Sequence, residues 1–215
     1  PPTVSSTSPA SSATGVGVSG AISATFSEDM DSSTITTSTF TLSSSSGGSI
    51  SGTVSYSNKV ATFTPSSNLS YSTTYTATIS TGVKDISGNA MSSSYSWSFT
   101  TGSAPDTTAP SGSITINSGA SYTNSTTVTL NLSATDNVGV TAYYLSTSSS
   151  TPVASASGWN SVTSATSYSG SVSYTLTTGD EQKTVYVWFK DAAGNVSSSA
   201  SDSIILDTTA PIVTI

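Results

Sequence analysis

Apolar and polar residues alternate along this chain with a period of two. Ala21-Ile22-Ser23-Ala24-Thr25-Phe26 shows it first, and Ser51-Gly52-Thr53-Val54-Ser55-Tyr56, Val60-Ala61-Thr62-Phe63-Thr64-Pro65 and Tyr75-Thr76-Ala77-Thr78-Ile79 repeat it. Val128-Thr129-Leu130-Asn131-Leu132 and Val185-Tyr186-Val187-Trp188-Phe189 carry it into the second half. Such alternation turns one face toward a core and the other toward water, as in a half-buried strand. Apolar residues nowhere keep the i, i+3, i+4, i+7 spacing of a helix over a useful length, so the pattern predicts an all-β protein. In the first half it predicts strands over 3–8, 21–26, 39–43, 50–57, 60–65, 74–80 and 95–101. In the second half it predicts 113–117, 127–134, 140–146, 171–176, 183–190 and 202–207, with 147–170 a loose Ser-rich stretch holding a short extra strand near Trp159. The link Ser57-Asn58-Lys59 reads as a tight hairpin. About seven short strands per hundred residues is the count of a sandwich.

One segment divides the chain. Asp106-Thr107-Thr108-Ala109-Pro110 returns as Asp207-Thr208-Thr209-Ala210-Pro211, 101 residues later. Each copy follows an alternating run (Trp97-Ser98-Phe99, then Ile204-Ile205-Leu206) and precedes another (Ser113-Ile114-Thr115-Ile116, then Ile212-Val213-Thr214-Ile215). A period near 100 with a Pro-containing joint predicts a tandem array. The boundaries expected are a domain over 1–101, a linker over 102–110, a second domain over 111–206, and a linker with the first strand of a following repeat over 207–215. The chain so read is a fragment of something longer.

Composition narrows the chemistry. About 93 of the 215 residues are Ser or Thr, roughly 43%, yet the mean hydropathy of +0.00 and the ordered alternation argue against disorder. His, Cys and Arg are absent. That excludes imidazole- or thiol-based nucleophilic catalysis, zinc sites of the Cys/His type and disulfides. Eleven acidic residues against four lysines give a net charge of −7, which disfavours nucleic acid and anionic lipid and leaves cations as the favoured ligands. No apolar run approaches the ~18–20 residues that span a bilayer, so no membrane insertion by this segment is expected, and Pro1-Pro2-Thr3 does not begin a signal peptide. Paired acids at Glu28-Asp29 and Asp180-Glu181 invite a glycosidase reading. Sequence neighbours on a strand or turn point apart, and Gly179-Asp180-Glu181-Gln182 reads more simply as a solvated turn. The expectation is no enzyme.

The first ~101 residues resemble the bacterial Ig-like domain family of large surface and secreted proteins. The residues that carry this are Thr25-Phe26-Ser27-Glu28-Asp29-Met30-Asp31, Ala61-Thr62-Phe63-Thr64-Pro65 with Leu69, Thr74-Tyr75, Val83-Lys84-Asp85-Ile86-Ser87-Gly88-Asn89-Ala90-Met91, and Trp97-Ser98-Phe99-Thr100-Thr101. The second half is similar to the Ig-like beads that bacterial adhesins string together. Its markers are Ala134-Thr135-Asp136-Asn137-Val138-Gly139-Val140, Val185-Tyr186-Val187, Lys190-Asp191-Ala192-Ala193-Gly194-Asn195 and the two joints. The resemblance implies two tandem immunoglobulin-like β-sandwiches, an extracellular or cell-surface location, a stalk, adhesion or accessory role, and calcium stiffening of the kind seen in adhesin beads. Tyr75, six residues after Leu69, resembles the tyrosine corner of such folds.

In an Ig-like bead the B–C and F–G loops lie at the end where the chain arrives. In the second domain these loops carry Asp136 and Asn137, and Asp191 and Asn195, while the linker supplies Asp106. In the first domain they carry Glu28, Asp29 and Asp31, and Asp85 and Asn89. Carboxylate and amide oxygens converging from separate segments are what Ca²⁺ requires. Beside that reading stands another: Asp-x-x-Gly-Asn forms a turn in its own right, and Asp31 caps a short helical turn.

The aromatic residues also divide. Val185, Val187 and Phe189 share one face of their strand, and Tyr186 and Trp188 the other. Trp188, Tyr186, Trp159 and one of Tyr143 or Tyr144 would make an exposed strip for stacking sugars, or lie under the 147–170 segment; the covered arrangement is preferred. The function expected is a non-catalytic extracellular spacer whose partners are neighbouring Ig-like repeats of the same chain. The alternatives are a module binding surface glycans or a host surface, and a filament subunit in which Ile212–Ile215 pairs with another copy of the chain.

Overall fold

The computed structural model describes residues 1–212 as an all-β chain in two compact units, Pro1–Ala104 and a second beginning at Pro105. The first unit is a sandwich of two four-stranded sheets. One sheet holds β1 (Val4–Ser8), β3 (Ile22–Phe26), β6 (Val60–Pro65) and β5 (Gly52–Ser57) in the order β1-β3-β6-β5. The other holds β2 (Ala13–Val16), β8 (Tyr95–Thr101), β7 (Thr74–Ile79) and β4 (Phe40–Ser44) in the order β2-β8-β7-β4. The alternating residues meet between them: Ile22, Ala24, Phe26, Ala61 and Phe63 from one layer, Phe40, Leu42, Tyr75, Ala77, Ile79, Trp97 and Phe99 from the other. Asn58 and Lys59 take positive φ (51° and 66°) and close the β5–β6 hairpin, as a two-residue turn of matching twist requires. The Tyr75 hydroxyl accepts the Ser70 amide at 2.8 Å, which makes the tyrosine corner. Strand β2 was not expected. Its four residues, Ala-Thr-Gly-Val, are too few to show a period, and it is held by parallel pairing with β8.

The second unit departs further from expectation. Its strands are β9 (Ser111–Ile116), β10 (Tyr122–Thr123), β11 (Thr127–Ser146), β12 (Asn160–Thr175), β13 (Glu181–Asp191) and β14 (Ala200–Leu206). The strands expected over 127–134 and 140–146 are one continuous element, β11. On one side it pairs with β9 through Leu130–Thr135 and then with β13 through Val140–Ser146, while its ladder with β12 on the other side is irregular between Thr135 and Val140. What reads as a B–C loop is therefore a bulge within a strand. The strand expected over 171–176 is the last part of the sixteen-residue β12, which pairs with β11 from Tyr143↔Asn160 to Thr127↔Thr175. Strand β12 lies at the sheet edge and contains no fully buried residue; only its last part, where Tyr168, Val172 and Tyr174 pack against the core, carries an alternating pattern. The core gathers Ile114, Ile116, Val128, Leu130, Leu132, Val185, Val187, Phe189 and Ile204. Residues 207–212 carry no strand, and 213–215, three of the four residues on which the filament reading rests, lie outside the described residues. Among the described residues no helix is long and apolar enough to cross a membrane.

Candidate metal centre

The same turn lies in the last hairpin of both units. In the first, the carboxylate of Asp85 accepts the Asn89 amide N–H and Asn89 Nδ2, each at 2.8 Å, and the Ser87 amide at 2.9 Å. In the second, Asp191 accepts the Asn195 amide at 2.8 Å and Asn195 Nδ2 at 2.6 Å. Gly88 and Gly194 supply the positive φ (83° and 91°) that each turn needs. Both aspartates are buried, with 3% exposed. Asp85 is held below the usual carboxylate range, chiefly by the Asn89 side-chain hydrogen bond.

Around this shared turn the two units differ. In the first, Asp31 Oδ1 accepts the Ser33 hydroxyl at 2.7 Å and the Ser33 amide at 2.9 Å, capping the 3-10 turn Ser32–Thr34. Those bonds, the hydroxyl first, hold its pKa below the ordinary value. Asp29 is exposed and Glu28 partly so. The five residues expected as a weaker metal pole (Glu28, Asp29, Asp31, Asp85, Asn89) are thus spent on a cap, a turn and solvent. They do not gather into a cluster of three carboxylates.

In the second unit they do gather. Among the described residues, Asp106, Asp136 and Asp191 are the one group of three acids whose carboxylate oxygens all lie within 4.8 Å of one another. Asp136 sits in the β11 bulge, where its Oδ2 accepts the Val138 and Gly139 amides at 2.9 and 2.7 Å. Asp106 Oδ1 accepts the Thr108 amide at 3.0 Å and Asn137 Nδ2 at 3.2 Å. These bonds, the Thr108 amide first, lower its pKa. Asn195 Nδ2 also donates to the main-chain oxygen of Asp106 at 3.1 Å. All five residues expected at this pole are brought together, the two asparagines as Nδ2 donors to Asp106 and Asp191. Two oxygens are left over: Asp106 Oδ2 and Asp136 Oδ1 are buried with no hydrogen-bond partner. No lysine answers them. Lys190, next to Asp191 in sequence, instead donates to the Ala154 carbonyl at 2.9 Å and lies 4.8 Å from the Trp159 ring centre.

Residues 1–101 match the family described as bacterial Ig-like domain. The first domain belongs to that family. No curated protein matches the chain. Among solved structures the chain is similar to the N-terminal part of the bacterial S-layer protein SbsC, at 18% identity and a TM-score of 0.39, over 96% of this chain and 44% of that one. It is similar to native alpha-2-macroglobulin from Escherichia coli spanning domains MG0-NIE-MG1, at 14% identity and a TM-score of 0.39, over 95% and 71%. It is also similar to the fibronectin(III)-like modules of Clostridium thermocellum CbhA, at 12% identity and a TM-score of 0.31, over 96% and 94%. The chain spans less than half the length of the S-layer structure.

Outside the acidic cluster, the second unit, whose strands form one six-stranded sheet, carries the aromatic residues weighed as a sugar platform. Trp188 is 0% exposed, stacked on Tyr186 at 6.1 Å and edge-on to Tyr144 at 6.3 Å. Tyr144 meets Trp159 edge-on at 5.5 Å, and Trp159 Nε1 donates to the Val153 carbonyl at 3.1 Å. With Lys190 bonded to Ala154, the 147–159 segment is strapped over the strip. Of the two arrangements weighed for Trp159, Trp188 and Tyr186, the covered one, preferred above, describes Trp188: it has no open ring face for a sugar, while Trp159 and Tyr186 are half-buried.

Sequence reasoning missed Asp180. Its connection is the solvent-exposed turn expected, but its carboxylate also binds the second joint through Thr208 and Thr209, while Glu181 pairs with buried Lys183 at 2.6 Å. Asp180 precedes Thr208 by 28 residues, and no local motif marks the pairing.

Proposed function

We propose that the chain is a non-catalytic spacer from the extracellular part of a bacterial surface or secreted adhesin-like protein, and that its second domain holds Ca²⁺ between Asp106, Asp136 and Asp191. The observation that carries this reading is the pair of buried, unpartnered oxygens in a three-carboxylate cluster that includes the first residue of the repeated joint. Buried polar atoms are nearly always paired, so an orphaned anionic oxygen points to a missing positive partner. The donor set is all oxygen, which suits a hard cation and not zinc or copper. Asp106 Oδ2, Asp136 Oδ1 and an oxygen of Asp191 would be the protein's carboxylate ligands. The cation would neutralise their repulsion and tie the incoming segment at Asp106 to the β11 bulge and the Asp191 turn.

The spacer role is supported by the bacterial Ig-like match of the first domain, the repeated joint, and an exterior of Ser and Thr with few charges. Its partners on this reading are neighbouring Ig-like repeats of the same chain. Small-angle scattering in Ca²⁺ and then EDTA, with mass monitored, tests the spacer, and calorimetric titration with Ca²⁺ tests the site. A monomer that binds Ca²⁺ with saturable heat and changes dimension in EDTA agrees with both. Absence of heat together with an EDTA-insensitive melting temperature removes the calcium, and growth in mass replaces the spacer with a self-assembling subunit.

A further inference from the structure

The two copies of Asp-Thr-Thr-Ala-Pro fold alike but are held differently. In each, the Asp side chain accepts the amide two residues on: Thr108 to Asp106 at 3.0 Å, and Thr209 to Asp207 at 3.1 Å. In the first copy, Asp106 then joins the acidic cluster. In the second, the partner is Asp180, in the connection between β12 and β13. Its Oδ1 accepts the Thr208 amide at 2.8 Å and the Thr208 hydroxyl at 2.7 Å, and its Oδ2 accepts the Thr209 hydroxyl. Just upstream, the Asp207 amide donates to the Thr123 carbonyl at 2.9 Å, extending the hold of β10 on β14. Three donors from two successive residues, all on one carboxylate, fix the backbone of both. Charge-assisted bonds of this kind are roughly twice as strong as neutral ones.

We propose that Asp180 is a positioning residue that clasps the outgoing joint, so that the chain leaves the second domain in a direction set by hydrogen bonding to that domain and without a cation. The first Ig-like domain has no such device. The connection before its own penultimate strand, residues 66–73, contains no acidic residue. The second domain thus grips the incoming joint in one way and the outgoing joint in another. The clasp does not depend on the calcium reading, since Asp180 takes no part in the acidic cluster.

The chain has no cysteine, so introduced pairs label uniquely. Spin labels at Ser169→Cys, on the exposed edge strand β12, and at Pro211→Cys report the direction of the outgoing segment. The wild-type background should give a narrow distance distribution that is the same in Ca²⁺ and in EDTA. Asp180→Ala should broaden it, and Asp180→Asn should broaden it less, because the amide keeps one acceptor oxygen. Exchange of the Thr208 amide should accelerate at least about tenfold in Asp180→Ala. The Val187 amide, in the centre of β13, should exchange unchanged, which separates loss of the clasp from loss of the fold. An unaltered distribution and Thr208 exchange rate in Asp180→Ala overturns the proposal. So does broadening of the wild type in EDTA, which would make the outgoing joint cation-dependent.

Discussion

The side-chain amide of Asn195 donates to Asp191 Oδ2 at 2.6 Å and, across 89 residues of sequence, to the main-chain oxygen of Asp106 at 3.1 Å. Asn89 makes the first of these bonds in its own turn, at 2.8 Å to Asp85. Only the second domain uses the amide's other hydrogen to catch its incoming segment. Asn195→Ala should therefore destabilise the second domain by about 1–3 kcal/mol, the cost of leaving a buried carboxylate oxygen unsatisfied. It should also free residues 105–108. Asn89→Ala should cost the first domain a similar amount and leave Thr108 untouched. Urea unfolding followed by domain-resolved amide signals, with Thr108 amide exchange as the second readout, separates the two effects.

A cation that binds the folded second domain and not its unfolded chain stabilises it by mass action. At about a hundred times its dissociation constant, Ca²⁺ should add ~2.7 kcal/mol and raise that domain's melting temperature by ~10 °C or more. The first domain should not respond, since its acids are committed to a cap and a turn. Asp136→Asn keeps an oxygen for the Val138 and Gly139 amides but lowers the charge of the cluster. That variant should melt normally in EDTA and gain little from Ca²⁺. Differential scanning calorimetry in the two buffers gives both numbers. A gain undiminished in Asp136→Asn would place the cation elsewhere.

The second joint carries a pH signature of its own. Hydrogen bonds from Thr209 and Thr208, the Thr209 hydroxyl first, hold Asp180 at a pKa of about 2, against ~3.9 for an unperturbed Asp. A folded pKa below the unfolded one means that the clasp is fully present above pH ~4 and is lost as pH falls through about 2. The side-chain carboxyl ¹³C signal of Asp180 should titrate near 2, with the Thr208 amide proton moving alongside it. In a Thr208→Val, Thr209→Val double variant the midpoint should rise toward the unperturbed value. Titration of wild-type Asp180 near 4 would show that these bonds do not persist in solution.

How much of this could be read from the sequence depends on how local the signal is. The first domain was legible almost strand for strand, because Ile22, Ala24 and Phe26, or Tyr75, Ala77 and Ile79, state their face within five residues. Of strand β12 only the end, 171–176, was legible, from the alternation around Val172 and Tyr174; residues 160–167 bury no side chain and keep no regular period. The break at Asp136–Gly139 read as a loop because a bulge and a loop use the same Asp, Asn and Gly. Only the pairing with β12 on both sides of the break, from Thr127 to Thr135 and from Val140 to Tyr143, shows that the strand runs through. The residues of the acidic cluster were foreseen from loop order and from the repeated joint. Which of their oxygens lack partners was not, since that depends on amides such as Thr108 and Gly139 that any residue type supplies. Asp180 was read only as a turn because its partners, though part of the repeated joint, are 28 and 29 residues away and nothing near Asp180 points to them.

The strap over Tyr144, Trp159 and Trp188 turns on a glycine. A Cβ at Gly158 would lie 2.5 Å from the Tyr144 ring, well inside contact distance. The ring has little room to move, since Trp159 packs on it at 5.5 Å and Trp188 at 6.3 Å. Gly158→Ala should lift the 147–159 segment and destabilise the second domain by about 1–3 kcal/mol, as overpacking does. Tryptophan emission should move to longer wavelength as Trp159 and Trp188 meet water. Soluble glycans should leave the wild-type emission unchanged, because Trp188 is fully buried and Lys190 lies over the Trp159 ring. A glycan-dependent shift in the wild type would mean that the strap opens unaided, and would return the strip to the sugar-binding reading. If the shift appears only in Gly158→Ala, the aromatic surface suits sugars but the native strap closes it to them.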